Sequence, residues 1–226
     1  MQFLKYGCYG LIFLLFTSFK LPMPKPINYL PLGDSYTICT GAIAEASWPK
    51  ILMKHLNEKG IKTNLLENPA RNGFSTQNLI DKELPLLKTL KPNFVTLLIG
   101  VNDWVREVPK TTFEKNLKYI IDEVQKQLPD KSKLILITIP DFGVTPQGKN
   151  YGNGRNISNG IAEFNEIILT EGKKRNIQVV DIFMLSKKMK EDTSLVAADG
   201  LHPSAKEYAE WEKLILPVAE KLLKEW

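Results

Sequence analysis

The stretch Leu30-Pro31-Leu32-Gly33-Asp34-Ser35-Tyr36 decides the fold. An apolar run from Ile27 to Leu32 stops abruptly at Gly-Asp-Ser, and a helix-like segment follows. The pattern puts Ser35 in the turn where a β-strand hands over to a helix. In open α/β sheets ligands bind outside the carboxyl ends of the strands, beside the unpaired N–H groups of helix N-termini. A serine so placed becomes a nucleophile when a base can reach it. The candidate base lies near the other end of the chain, in Asp199-Gly200-Leu201-His202-Pro203.

Strand-like and helix-like segments alternate outward from that turn. Phe94 to Ile99 is continuous and β-branched, as in a strand covered on both faces. Shorter runs at 62–67, 133–139 and 177–182 read the same way. Between them Trp48, Ile51, Leu52 and Leu56 recur at helical spacing, with Ser47 expected as a cap. One helix is expected from about 76 to 90. Another should open at the capping box Thr111-x-x-Glu114 and run to about Leu128. Segments 161–175 and 183–190 follow, and Ser204-x-x-Glu207 opens a terminal helix. This order implies one three-layer α/β/α sandwich around a five-stranded parallel sheet, spanning 27–226.

The 226 residues are 43% hydrophobic and 24% charged, enough for one sizeable core. Thirty Lys and Arg against 25 Asp and Glu leave a net charge of +5. The lysines are scattered among glutamates on helix-like segments and form no basic stripe with interleaved aromatics, so nucleic acid is excluded as a partner. Two cysteines, Cys8 and Cys39, exclude a disulfide scaffold, and two histidines leave too few ligands for an all-protein zinc site. Residues 1–20 combine Lys5 with an apolar run from Tyr6 to Phe19, and prolines at 22, 24 and 26 punctuate the linker 21–26. Such a segment reads as a signal peptide or N-terminal anchor, which would make the protein exported, whether periplasmic, extracellular or membrane-anchored.

Chemistry concentrates in four short segments. Gly33-Asp34-Ser35, Asn72-Gly73 and Gly100-Val101-Asn102 follow strands, so all three should emerge at one edge of a parallel sheet. Asp199 to Pro203 precedes the terminal helix and can return to that edge. Serine, histidine and several N–H donors at one rim is what acyl transfer needs. Asp199, three residues before His202, can fix the imidazole tautomer. The Ser35 and Gly73 N–H groups, with the Asn102 amide, can form an oxyanion hole. His55 lies on or beside the apolar face of its helix and is read as a packing residue. Asp34 and Asp103 are read as supporting residues. Tyr36, Ile38, Trp104, Val105 and Phe142 follow strand ends and are candidates for an acyl pocket.

These four segments, in this order and spacing, resemble the SGNH (GDSL-type) hydrolase family over most of the chain after residue 26. Ser35 in Gly-Asp-Ser, Gly73, Asn102 in Gly-x-Asn-Asp and His202 in Asp-x-x-His-Pro match its name-giving positions. The resemblance implies a flavodoxin-like sandwich and a serine esterase with Ser35 as nucleophile, Asp199 and His202 as its partners, and Gly73 and Asn102 as oxyanion donors. It implies no metal and no cofactor. Substrates of similar proteins include lysophospholipids, simple acyl esters and acetylated carbohydrates, and the apolar residues near the strand ends favour lysophospholipids. Two rivals share the expected architecture: an O-acetyltransferase with the same triad, and a non-catalytic carbohydrate- or lipid-binding module.

Overall fold

The computed structural model describes residues 25–224. The segment expected to be a signal or anchor, and most of the linker after it, lie outside these residues. Five strands form one parallel sheet: β1 (Ile27–Gly33), β2 (Thr63–Leu65), β3 (Phe94–Leu98), β4 (Leu134–Ile137) and β5 (Gln178–Val180). Their order across the sheet is β2-β1-β3-β4-β5, the flavodoxin-like arrangement. Every residue of β3 and β4 is buried, which is why both read as unbroken apolar runs. Pro31 is tolerated in β1 because β2 stops at Leu65, opposite Tyr29, so no β2 bond is forfeited at Pro31.

Two helical layers cover the sheet. Helix α2 (Trp48–Glu58) packs against α9 (Ala205–Lys224). The other layer contains α3 (Thr76–Lys82), α4 (Leu86–Leu90), α6 (Lys110–Gln127) and α7 (Ile157–Arg175). Short helices α1 (Ser35–Ile38), α5 (Val101–Val105) and α8 (Phe183–Ser186) follow β1, β3 and β5. Several polar groups inside the sandwich are paired. The Tyr29 hydroxyl and Thr96 Oγ1 share a 2.8 Å hydrogen bond, and the Asn165 amide brackets Ile139, accepting from its N–H at 2.7 Å and donating to its carbonyl at 2.8 Å. His55 packs across the α2–α9 seam with Nδ1 3.0 Å from Glu212 Oε1, away from the strand ends.

Several local expectations give way to tertiary structure. The helix expected over 76–90 is two, because Pro85 cannot donate within it and the chain breaks there. Its start is set by a capping box at Ser75 and Asn78 that the sequence pattern does not advertise. The expected box at Thr111 and Glu114 does not form: α6 begins one residue earlier after Pro109, and Glu114 pairs with Lys118. The Ser47 hydroxyl donates to Ala44 O at 2.7 Å and caps nothing. At Ser204 the box is half made. Its hydroxyl accepts from Glu207 N at 3.5 Å, while Glu207 Oε1 takes the Trp211 indole N–H instead.

Leu97 sits at the centre of this sheet, 2% exposed. Leu97→Ala is expected to lower unfolding stability by about 2–5 kcal/mol in a urea titration, because a rigid sheet cannot collapse into the cavity. A loss below about 1 kcal/mol would mean the layers are not close-packed around β3.

Candidate active site

The turn after β1 is built by crowding. A side chain at Gly33 would place its Cβ 2.2 Å from Leu98 O and 2.2 Å from Thr37 Oγ1, so only glycine lets β1 lie this close to β3 while α1 starts. Asp34 then caps α1, its Oδ1 accepting from Tyr36 N at 3.0 Å. Ser35 is thereby fixed as the first residue of the helix, largely buried at 6% exposure. Among the described residues neither its N–H nor its hydroxyl has a protein partner.

His202 arrives from the far end of the chain on a tight loop. The bridge between Val196 and Pro203, with Ala197 N donating to His202 O at 2.8 Å, holds the loop shut. Asp199 occupies its centre. Its Oδ1 accepts from the N–H groups of Leu201 and His202, both at 2.9 Å, and its Oδ2 lies 2.6 Å from His202 Nδ1. Burial works against the Asp199 charge, but the Leu201 N–H and the His202 ring and N–H outweigh it and hold the carboxyl below its usual range. The short contact assigns a proton to Nδ1 and leaves Nε2 as an acceptor. The Tyr36 ring packs edge-on against the imidazole, centroids 6.1 Å apart.

Asn102 follows β3 on α5, and its side chain donates to Phe74 O at 2.9 Å, using one of two amide hydrogens. That bond ties α5 to the loop carrying Gly73, whose φ of +78° suits glycine. Arg106, at the end of α5, grips the same loop by donating to Gly73 O at 2.6 Å. Among the described residues the Gly73 N–H has no partner.

Ser35, Asn102 and His202 line one cavity of about 70 Å³ together with Tyr36, Val101, Val105, Phe142, Tyr151 and Leu201. Gly73 is not among these lining residues; it sits next to Phe74 on the loop that Asn102 tethers. No hydrogen bond joins the Ser35 hydroxyl to His202 among the described residues, a contact that often tightens only with substrate. Of the expected pocket residues, Tyr36, Val105 and Phe142 reach the cavity while Ile38 and Trp104 do not. Trp104 instead packs against Gly160, under the guanidinium of Arg155 at 4.0 Å. Val101, Tyr151 and Leu201 complete the wall. Tyr151 could be found only as the aromatic in a Gly- and Asn-rich loop. A roomier cleft of about 340 Å³ lies between α6 and α7, but its lining residues include no serine, cysteine or histidine.

Three buried carboxyl groups stand behind the turn. Asp103 accepts from Thr76 N at 2.8 Å and from Thr76 Oγ1 at 2.5 Å. Burial pushes Asp34 up to about 8, against the Tyr36 N–H, and Asp103 adds to it. Burial likewise pushes Glu83 up to about 8, against the bond from Gly33 N at 3.0 Å. Both groups titrate near 4 when unfolded. At these two groups the folded state holds more protons than the unfolded chain between about pH 4 and about pH 8, so their contribution to stability falls as pH rises through that window. In Asp34→Asn, which cannot ionise, the fall in Tm with rising pH should be shallower than in the parent; an equally steep fall would mean that Asp34 does not hold its proton when folded.

The GDSL-like lipase/acylhydrolase family profile matches residues 32–209. The chain is 28% identical over 236 residues to a multidomain esterase of Ruminococcus flavefaciens, covering 88% of this chain but only 29% of that protein. It is 25% identical over 193 residues to thioesterase 1/protease 1/lysophospholipase L1 of Escherichia coli (strain K12), covering 85% of this chain and 82% of that one. The crystal structure of TesA superposes with a TM-score of 0.70 at 23% identity, over 87% of this chain and 99% of that one. The chain belongs to the GDSL-like lipase/acylhydrolase family of ester hydrolases.

Proposed function

We propose that this protein hydrolyses carboxylic esters through an acyl-Ser35 intermediate. One observation carries the reading: Ser35, Asn102 and His202 share a cavity, with Asp199 2.6 Å from the far nitrogen of the imidazole. In this mechanism the Ser35 hydroxyl attacks the ester carbonyl and its proton passes to His202 Nε2. The carbonyl oxygen gains the negative charge, met by the Ser35 N–H, the Gly73 N–H and the second Asn102 amide hydrogen. Collapse breaks the C–O bond, and the departing alkoxide takes the proton from His202. Water then repeats the sequence on the acyl-enzyme, releasing the carboxylic acid and restoring Ser35. Asp199 keeps the Nδ1 proton in place and stabilises the transient imidazolium.

The size and lining of the cavity support a short acyl group. The cavity is small, about 70 Å³, and apolar Val101, Val105, Phe142 and Leu201 suit a methyl or ethyl tail. This shifts the weight from the long-chain lysophospholipid favoured by the sequence toward acetyl- and propionyl-sized esters. The alcohol side stays open to solvent past Tyr151, which is 42% exposed, and so accepts larger leaving groups, lipid or carbohydrate. We further propose export, resting on the apolar run between Lys5 and Lys20.

Hydrolysis of a p-nitrophenyl ester series from acetate to long chains tests both points. Ser35→Ala and His202→Ala should each lose at least about 10³-fold in kcat, and Asp199→Asn somewhat less. Rates should be highest for the shortest acyl chains. A fully active His202→Ala would refute the triad. A rate that climbs with chain length would return the lysophospholipid reading, and acyl transfer to added sugar in place of hydrolysis would favour an acetyltransferase.

A further inference from the structure

Glu83 has no place in the mechanism above, yet it reaches the nucleophile turn from behind. It ends α3, two residues before Pro85, and is fully buried. Its Oε2 accepts the Gly33 N–H at 3.0 Å, across 50 residues of sequence. That peptide group is the last of β1 before Asp34, and Asp34 in turn caps α1 through Tyr36 N. Ser35 is therefore held between two carboxyl clamps, one on each side. Each clamp uses one oxygen, and each has one fully buried oxygen with no partner, Glu83 Oε1 and Asp34 Oδ2. Two bare anionic oxygens at the same buried turn would be costly, whereas a proton turns an orphan acceptor into a donor.

We propose that Glu83 is a positioning residue for Ser35, holding the Gly33 N–H from behind the strand while it and Asp34 keep at least one proton between them. The inference rests on Ser35 being the nucleophile. Loss of the last proton sets two like charges against each other in a fully buried site. Either clamp can then relieve the repulsion only by releasing its N–H, and each release displaces Ser35. The groups facing the pair are few. Asp34 is faced by Asp103 on α5, by the Tyr36 phenol and by Tyr208 on α9. Glu83 is faced by Asp34 and by Arg71, whose guanidinium is occupied with the carbonyls of Asn68 and Ala70. Burial raises both carboxyl groups and both phenols, the phenols far above the range in which the carboxyls titrate.

Glu83→Gln and Glu83→Leu separate the clamp from its charge. The glutamine keeps an acceptor for Gly33 N and is neutral at every pH; the leucine leaves that N–H unpaired. Ester hydrolysis is followed from about pH 6 to about pH 9.5, with Ser35→Ala subtracted, and Ser35 labelling by a phosphonate is followed by intact mass. The parent should lose kcat as pH rises through about 8. Glu83→Gln should match the parent near pH 7 within about twofold and lose less above pH 8. Glu83→Leu should lose about tenfold or more in kcat and in labelling rate with KM little changed. If that variant does not fold, the glutamine profile decides alone. Glu83→Leu at parental kcat, or a glutamine profile that falls like the parent's, overturns the proposal. A parent in which the phosphonate leaves Ser35 unlabelled overturns instead the reading of Ser35 on which it rests.

Discussion

Between Gly33 and Leu98 O there is no room for a side chain, and most of the site follows from that close approach. It lets β1 end against β3 with its last peptide directed at Glu83, and it starts α1 with Ser35 as first residue. Because β1 and β3 run parallel, the chain leaving β3 through Gly100 emerges beside the chain leaving β1. Asn102 is thereby delivered to the same cavity as Ser35. A parallel sheet thus does the coarse positioning, and hydrogen bonds to its loops do the fine positioning.

Those bonds form a chain of dependence around the cavity. Asn102 holds the Gly73 loop through Phe74 O, Arg106 holds it through Gly73 O, and Asp103, between them, anchors Thr76 at the start of α3. The same helix ends at Glu83, which returns to Gly33. The arrangement places carboxyl groups where water cannot screen a charge. Two like charges in such a site repel each other far more strongly than in water. At least one proton held between Asp34 and Glu83 keeps two like charges from facing each other there, and among the described residues no arginine is clamped directly on either carboxyl.

The fold was legible because its signals are local and repeated. Phe94 to Leu98 and Leu134 to Ile137 are unbroken apolar runs because both faces of the sheet are covered. Residues whose chemistry is concentrated in short segments were legible too: Ser35, Asn102, Asp199 and His202 each stand within two residues of a glycine or proline. What stayed hidden depends on long-range packing. Thr111 and Glu114 have the spacing of a cap, but Pro109 starts the helix earlier. Trp104 follows a strand end, yet the guanidinium of Arg155 and the bare face of Gly160 draw it away from the cavity. Glu83 carries no motif that marks it in the sequence. Its position four residues after Leu79, next to Leu84 and Leu87 on the buried side, was the one available hint.

The most direct test is a crystal structure of the protein after reaction with a short alkyl phosphonate. The account predicts phosphorus bonded to Ser35 Oγ, the alkyl group against Val105 and Phe142, and His202 Nε2 turned toward the remaining ester oxygen. It further predicts one phosphonate oxygen at about 2.7–3.1 Å from the N–H groups of Ser35 and Gly73 and from Asn102 Nδ2. An adduct on another residue, or an oxygen directed away from all three donors, would contradict it.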